Sequence, residues 1–160
     1  MTPRPRPCAR LLLLDPSDRL LLFLVENSVP NPDPLVWITP GGGLEAGETH
    51  EAAAHRELWE EVGVRGVTLS PCVWLRRHVW HFQGAAVESR ERFYVARVPD
   101  DRVNPAGMEA AERAVLRRWR WWSLAALQAS DAVFAPRRLG ALLAPILAGE
   151  LPTAPLDVGK

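Results

Sequence analysis

The stretch from Gly41 to Val64 constrains this chain of 160 residues more than any other. It begins with three successive glycines, which can adopt positive φ and bring the backbone close to a ligand. A helix is predicted to follow, because Thr49 can cap its N-terminus and the alanines after it favour helix. Gly63 is predicted to end that helix as a C-terminal cap. The stretch therefore predicts a glycine-rich loop that leads directly into a helix.

Three glutamates lie on one face of the predicted helix. Glu57, Glu60 and Glu61 fall about one turn apart when successive residues rotate by about 100°. Like charges at this spacing repel one another and weaken the helix unless a cation lies between them. Mg²⁺ is such a cation, because it prefers carboxylate oxygens and takes phosphate oxygens as further ligands. The simpler alternative is a solvated acidic face. The glycine-rich loop before the helix, and flanking residues that can pack on a core, make this alternative less favourable.

The same stretch resembles a known family motif at every fixed position. The motif is the Nudix box, G-x5-E-x7-R-E-U-x-E-E-x-G-U with U apolar, and its fixed positions are filled by Gly42, Glu48, Arg56, Glu57, Leu58, Glu60, Glu61, Gly63 and Val64. On this basis the chain is identified as a member of the Nudix hydrolases, which cleave nucleoside diphosphates linked to another moiety through a metal-activated water. The resemblance implies an α/β Nudix fold, in which a mixed β-sheet is sandwiched between α-helices.

The resemblance also implies a metal site. Glu57, Glu60 and Glu61 would bind Mg²⁺, for which Mn²⁺ can substitute. A glycine carbonyl of the loop, such as that of Gly42, would complete the coordination. One of the glutamates could take a proton from the attacking water as general base.

Arg56 has two interpretations. It could contact a phosphate, or it could orient the carboxylates around it. Because it lies one turn from Glu60 and matches the family's pairing with Glu48, it is predicted to orient carboxylates. The catalytic assignment is therefore Glu57, Glu60 and Arg56, with Glu48 holding the arginine in place.

A further carboxylate from a later part of the chain often joins the metal site in this family. Glu109 and Glu112 are the candidates here, within a short helix predicted over residues 108–115. For either residue alone, a solvated helix charge is the simpler interpretation.

Candidate substrate contacts lie on a β-hairpin predicted after the glutamate helix. Its strands are residues 67–82, as one strand or two, and residues 91–98. Arg76, His78 and Trp80 alternate along the first strand and are the candidates for contacting a base or a phosphate. A packed and hydrogen-bonded sheet face is an equally good interpretation of these three residues.

The substrate class is approached by elimination. ADP-ribose pyrophosphatases carry a proline where this chain has Val79 or Trp80. Dinucleoside polyphosphate hydrolases often carry a tyrosine where this chain has His81 or Phe82. A nucleoside di- or triphosphate is therefore favoured, with a nucleoside monophosphate as product. Pyrophosphatases of ADP-ribose, nucleotide sugars or dinucleoside polyphosphates are the alternatives. A non-catalytic Nudix-like sensing module is a further alternative, but such modules typically lose the glutamates that this chain retains.

Composition limits the partners. Nineteen basic and nineteen acidic side chains give a formal net charge of zero, which argues against stable binding to nucleic acid or to a membrane surface. No apolar run reaches the roughly 20 residues of a membrane span. Cys8 and Cys72 are too few for a disulfide framework or a zinc site and fit a reducing cytoplasm. A small nucleotide is the expected partner, and a homodimer remains open.

The length suits one domain, residues 1–160, with residues 1–7 and 150–160 as flexible tails. Apolar runs predict strands at residues 8–15, 20–26 and 35–39, with an irregular, proline-rich loop at residues 27–34.

The second half of the chain completes the α/β pattern. The predicted elements are a half-buried strand at residues 118–122, a helix at residues 124–129 capped by Ser123, and a last helix that Pro136 opens and Pro145 kinks or stops. The tryptophans at strand positions are predicted to lie in the core; they are Trp37, Trp119 and Trp121.

Overall fold

The computed structural model describes residues 2–27 and 34–159. Within those residues the strands are β1 (Arg4–Leu14), β2 (Leu20–Glu26), β3 (Leu35–Ile38), β4 (Gly41–Gly43), β5 (Trp74–Phe82), β6 (Ala85–Arg97), β7 (Leu116–Trp122), β8 (Phe134–Ala135) and β9 (Leu156–Asp157). The helices are α1 (His50–Glu57), α2 (Ala110–Val115), α3 (Leu124–Ala129) and α4 (Leu139–Leu147), with a π-helical turn at Leu58–Val62 and a 3₁₀ turn at Pro105–Gly107. The loop predicted at residues 27–34 lies, apart from its two ends, outside the described residues.

The strands form one mixed sheet. Its order is β8–β3–β2–β1–β6–β5–β9, with β4 also paired to β1 and β7 to β2. β1 runs antiparallel to β2 and parallel to β6. The hairpin of β5 and β6 is antiparallel as predicted, but β5 begins at Trp74 and not at residue 67. The mixed sheet confirms the predicted fold class.

Helices cover both faces of the sheet, because β1 is apolar on both sides. Leu12 and Leu14 pack in one core cluster together with residues of α3 and α4. Leu11 and Leu13 point to the other face and pack with residues of α1 and of the π-helical turn. Because the side chains of β1 alternate between the two faces of the sheet, the glutamate helix packs on the face that Leu11 and Leu13 form. This packing determines which side chains of the helix face the sheet.

The glutamate helix begins and ends where the sequence predicts. The Thr49 hydroxyl accepts a hydrogen bond from the Ala52 N–H at 3.1 Å, and Gly63 adopts the left-handed conformation with φ of 80°. Between these caps the helix is not uniform, since it changes from α to π geometry at Leu58. Single π-helical turns are common at functional sites, and this one contains Glu60 and Glu61.

The predicted N-terminal tail is wrong from Arg4 onward. Residues 4–7 extend β1 and pair with residues 87–90 of β6. Pro7 accepts a hydrogen bond from the Leu44 N–H at 3.0 Å, on the side away from β6. Pro5 lies two residues before Pro7 and therefore faces the same side of β1. Neither proline would donate a hydrogen bond to β6, so the lack of their N–H groups costs the ladder with β6 nothing. At the other end, Leu156–Asp157 pairs with β5, so the predicted C-terminal tail is also partly strand.

The tryptophan prediction holds only in part. Trp37 is buried, whereas Trp119 is 40% exposed on β7 and is not a core residue. Trp121 is half-buried, and its indole N–H donates to the Asp101 carbonyl at 2.9 Å. Pro145 lies in the final turn of α4, which ends two residues later at Leu147. Within the described part of the chain, no helix is long and apolar enough to cross a membrane.

Candidate active site

The glycine loop is locked to both the sheet and the helix. Gly41 has φ of 136°, and a Cβ there would lie 2.1 Å from the Ala9 carbonyl oxygen, so only glycine fits. The Gly41 N–H donates to Glu61 Oε2 at 3.0 Å. At Gly42, a Cβ would lie 2.5 Å from Glu57 Oε1. The loop backbone therefore lies directly against the carboxylates of two predicted metal ligands.

Arg56 holds the carboxylates as a fork. Its Nε and Nη2 donate to the two oxygens of Glu48, both at 2.9 Å. Its Nη1 donates to Glu57 Oε1 at 3.1 Å and to Glu60 Oε2 at 3.2 Å. Nη2 also reaches the Gly43 carbonyl at 3.0 Å. Both partners predicted for Arg56, Glu48 and Glu60, are therefore in contact with it, and the hydrogen bond from Arg56 lowers the pKa of Glu48 to about 2.

Three carboxylates converge beside this fork. One oxygen each from Glu57, Glu60 and Glu112 lies within 4.8 Å of the other two. Glu57 is 3% exposed, and its Oε2 is buried without a hydrogen-bond partner among the described residues. A hard divalent cation fits this site, because it would supply the missing partner and bind carboxylate oxygens by preference.

The third carboxylate comes from an element about 50 residues away in the chain. A Cβ at Gly107 would lie 2.9 Å from the Glu60 Cα, so the 3₁₀ turn packs directly on the π-helical turn. That contact brings α2, and with it Glu112, to the cluster. Of the two candidates from sequence, Glu112 therefore joins the group of three, whereas Glu109 lies at the N-cap of α2 and lines the cavity described below.

The four glutamates at this site repel one another. Burial raises the pKa of Glu57, Glu60, Glu61 and Glu112 above the ordinary value. The charge of Glu112 raises the pKa of Glu57 further, and Glu57 does the same to Glu60 and Glu61. Arg56 is shared among several carboxylates, so the negative charge is only partly balanced.

A cavity of about 280 Å³ opens beside the glutamates. Arg6, Arg10 and Arg56 line it together with the acidic groups and with apolar side chains such as Phe23 and Ile38. Arg6 and Arg10 are absent from the sequence-based assignment. Arg10 had a detectable signal, because it is a charged residue inside the otherwise apolar run of β1.

A second cavity, of about 570 Å³, adjoins the first and shares Arg6 and Arg10 with it. The three predicted substrate residues, Arg76, His78 and Trp80, all line this second cavity. The indole N–H of Trp80 donates to the Ser89 hydroxyl at 3.0 Å, which fixes the ring against the sheet.

A buried charge network connects residues that line the two cavities. Arg10 Nε donates to Glu91 Oε1 at 3.0 Å, and Arg76 Nη1 donates to Glu91 Oε2 at 2.8 Å. Arg10 also reaches the Thr39 and Gly41 carbonyls at 3.2 Å and 3.1 Å. Burial alone would raise the pKa of Glu91, but the two arginines lower it below its ordinary value. The network ties the glycine loop to the wall of the second cavity.

Comparisons with known proteins agree with this architecture. An RNA pyrophosphohydrolase of Rhizobium meliloti (strain 1021) is 37% identical over 67 residues, 40% of this chain and 40% of that protein. One of Aliivibrio fischeri (strain MJ11) is 29% identical over 97 residues, 54% of this chain and 56% of that protein. The matches thus span about half the length of these curated relatives.

A solved MutT protein of Methanosarcina mazei Go1 shares the fold, with a TM-score of 0.64 at 13% identity, over 93% of this chain and 97% of that one. The family model described as the NUDIX domain matches residues 4–143, from the first residue of β1 into α4. That span contains the glycine loop, the glutamate helix and the residues that line both cavities. The chain therefore belongs to the Nudix family.

Proposed function

We propose that the chain is a metal-dependent pyrophosphohydrolase that cleaves a phosphoanhydride bond of a nucleoside di- or triphosphate and releases a nucleoside monophosphate. One observation carries the proposal. Three carboxylates from two helices converge within 4.8 Å, and a buried oxygen of one of them, Glu57, has no partner among the described residues. Such a site is incomplete without a cation, and it opens onto a cavity that three arginines line.

Glu57, Glu60 and Glu112 would hold the metal, and Mg²⁺ is the ion that their all-oxygen set suits best, with Mn²⁺ as a substitute. When bound, such an ion neutralises phosphate charge and lowers the pKa of a bound water. Arg56 keeps Glu57 and Glu60 pointed at one place. The Gly42 carbonyl stays a predicted ligand, supported by the close contact of its residue with Glu57.

Glu61 and Glu60 each have a further role in this proposal. Glu61 anchors the glycine loop by accepting from the Gly41 N–H, and it stays a predicted metal ligand next to Glu57 and Glu112. Glu60 is the most exposed of the three helix glutamates, with 22% of its side chain accessible, compared with 4% for Glu57. It is therefore best placed to accept a proton from the attacking water.

The second cavity would take the nucleoside. It adjoins the glutamates and is lined by Trp80, whose ring offers a stacking surface, and by Arg6 and Arg10, which face both cavities. A base stacked on an aromatic ring is worth roughly 1–3 kcal/mol. The glutamates that catalysis needs are all present, which supports an enzyme rather than a sensing module.

A second candidate substrate is the triphosphorylated 5′ end of an RNA. The similarity to two RNA pyrophosphohydrolases favours it. Hydrolysis of a nucleoside triphosphate and of a 5′-triphosphorylated oligonucleotide with the same first base, compared at equal concentration, separates the two. A free-nucleotide enzyme should prefer the mononucleotide by kcat/KM, and an RNA-end enzyme should prefer the oligonucleotide.

The reaction itself is tested with a panel of nucleotides, with and without Mg²⁺. We expect Mg²⁺-dependent release of a nucleoside monophosphate by the wild type and its loss in Glu60→Gln. Glu51→Gln is the matched control, since it removes one charge from the same helix outside both cavities. Full activity of a folded Glu60→Gln, or no turnover of any nucleotide by the wild type, would refute the proposal.

A further inference from the structure

His78 is held in one tautomer by its neighbour. Arg76 Nη1 lies 2.9 Å from His78 Nδ1. A guanidinium group has only donors, so Nδ1 must be the acceptor in this contact. In a neutral imidazole with Nδ1 unprotonated, the proton is on Nε2. The contact therefore makes Nε2 a hydrogen-bond donor.

The direction of that contact cannot reverse. Arg76 is 9% exposed, and Glu91 accepts from the same Nη1 at 2.8 Å. Glu91 is fixed in turn by Arg10. Burial of His78, and secondarily the positive charge of Arg76, lower the pKa of His78 to about 4. At neutral pH the imidazole is thus uncharged, with its donor on the side away from Arg76.

The free side of His78 lies at the second cavity. The ring is half-buried and lines that cavity, and within residues 2–27 and 34–159 no hydrogen bond to its Nε2 is found. Next to it, Arg76 Nε is buried without a hydrogen-bond partner among the described residues. Among the described residues that line this cavity, the Ser89 hydroxyl accepts from Trp80 and Glu26 is paired with Arg117.

We infer that His78 determines base specificity: its Nε2–H selects a nucleobase that offers a carbonyl oxygen over one that offers an amino group at the same place. The inference rests on the proposed function, because it takes the second cavity as the nucleoside site. An amino group there would set donor against donor and leave both unpaired, which sites built around one hydrogen bond reject strongly. Uracil and hypoxanthine would be preferred to cytosine and adenine.

Two matched pairs of nucleotides test this: UTP against CTP, and ITP against ATP. Each pair exchanges a carbonyl oxygen for an amino group. We expect the wild type to favour the carbonyl member by about tenfold in kcat/KM, mainly through KM. His78→Leu should bring both ratios to about one. His78→Gln should keep the preference, because its amide oxygen can accept from Arg76 while its NH₂ faces the cavity.

His81→Leu is the control, because His81 is exposed on the same strand outside both cavities and should leave the ratios unchanged. Binding of the same four nucleotides without metal, followed by tryptophan fluorescence, decides the inference even if none is hydrolysed. Absent hydrolysis with a carbonyl preference in binding would refute the reaction and leave the specificity standing. Equal affinity within both pairs, or a preference that survives in folded His78→Leu, would overturn the role of His78.

Discussion

Glu57 and Glu91 are equally buried, at 3% exposure each, and yet their environments have opposite effects. Glu91 is paired on both oxygens with Arg10 and Arg76, and its pKa lies below the ordinary value. Glu57 shares Arg56 with other carboxylates, has one oxygen without a described partner, and has a raised pKa.

The difference shows that burial does not identify a functional carboxylate. A buried charge that is matched by buried counter-charges stabilises local structure and offers nothing to a ligand. A buried carboxylate whose charge is only partly balanced favours the binding of a cation, because the cation supplies the missing positive charge. In this protein the matched glutamate supports the wall between two cavities, and the unmatched one faces the proposed metal site.

The largest expected effect comes from Glu57→Gln. We expect hydrolysis to fall by more than about a hundredfold, which exceeds the 10–100-fold typical of groups that only support a metal ligand. Removing one of four repelling charges should leave the melting temperature of the metal-free protein unchanged or higher. Turnover and melting in EDTA measure the two effects, and retained turnover would contradict the assignment.

Glu91→Gln should lower the stability of the protein, in contrast to Glu57→Gln. It leaves Arg10 and Arg76 facing a neutral amide, and breaking such a buried pair costs about 3–5 kcal/mol of stability. Glu88→Gln on the same strand is the control, because its partner Arg90 is exposed and the pair is worth about 0–1 kcal/mol. Urea unfolding of the three proteins measures the difference. Equal stability of the two variants would remove the structural role of Glu91.

Arg56→Lys tests the fork. Lysine keeps the charge but cannot donate at once to Glu48, Glu57 and Glu60. We expect a rate loss of about 10–100-fold and a higher Mg²⁺ requirement. A raised KM for the nucleotide with unchanged metal dependence would instead make Arg56 a phosphate ligand.

Glu112→Gln and Glu109→Gln form a pair of variants on neighbouring turns. Glu112 belongs to the converging group, so its loss should raise the half-saturating Mg²⁺ concentration by about tenfold. Glu109 lies outside that group and should change it by no more than about twofold. Mg²⁺ titrations of turnover distinguish them, and equal shifts would show that the two carboxylates act alike.

The smallest effect concerns pH. The pKa of His78 is about 4 in the folded protein against an ordinary value of 6.5, so the unfolded chain binds more protons between these values. The stabilisation is complete above pH 6.5 and is lost as the pH falls towards 4. Melting temperatures should therefore drop more steeply over this window for the wild type than for His78→Gln. Parallel curves would place the histidine in a solvated setting.

Sequence predicted the parts of the site that are local. The caps at Thr49 and Gly63 depend on residues a few positions apart, and the structure agrees with both. The contribution of Glu112 was not decidable, because it depends on Gly107 packing against Glu60 across the fold. Contacts of this kind join segments that are far apart in the chain, and no periodic spacing of residues in the sequence indicates that they will meet.

Other differences have the same physical origin. Arg10 meets Glu91 only because β1 and β6 are parallel neighbours, 81 positions apart. The sequence predicts a tail at residues 1–7 because they contain no apolar run, whereas the pairing of residues 4–7 with β6 and the parity of their prolines are visible only in the register. Trp119 is predicted to lie in the core because it occupies a strand position, but its side of β7 is left partly uncovered.

The most direct test is Mn²⁺ binding to the metal-free protein, followed by the loss of the free-ion signal in electron paramagnetic resonance. The wild type is expected to bind Mn²⁺ at neutral pH. Glu57→Gln, Glu60→Gln and Glu112→Gln should each weaken that binding by about tenfold or more, while Glu51→Gln should not change it. Undiminished Mn²⁺ affinity in all three folded variants would contradict a metal site at the converging carboxylates.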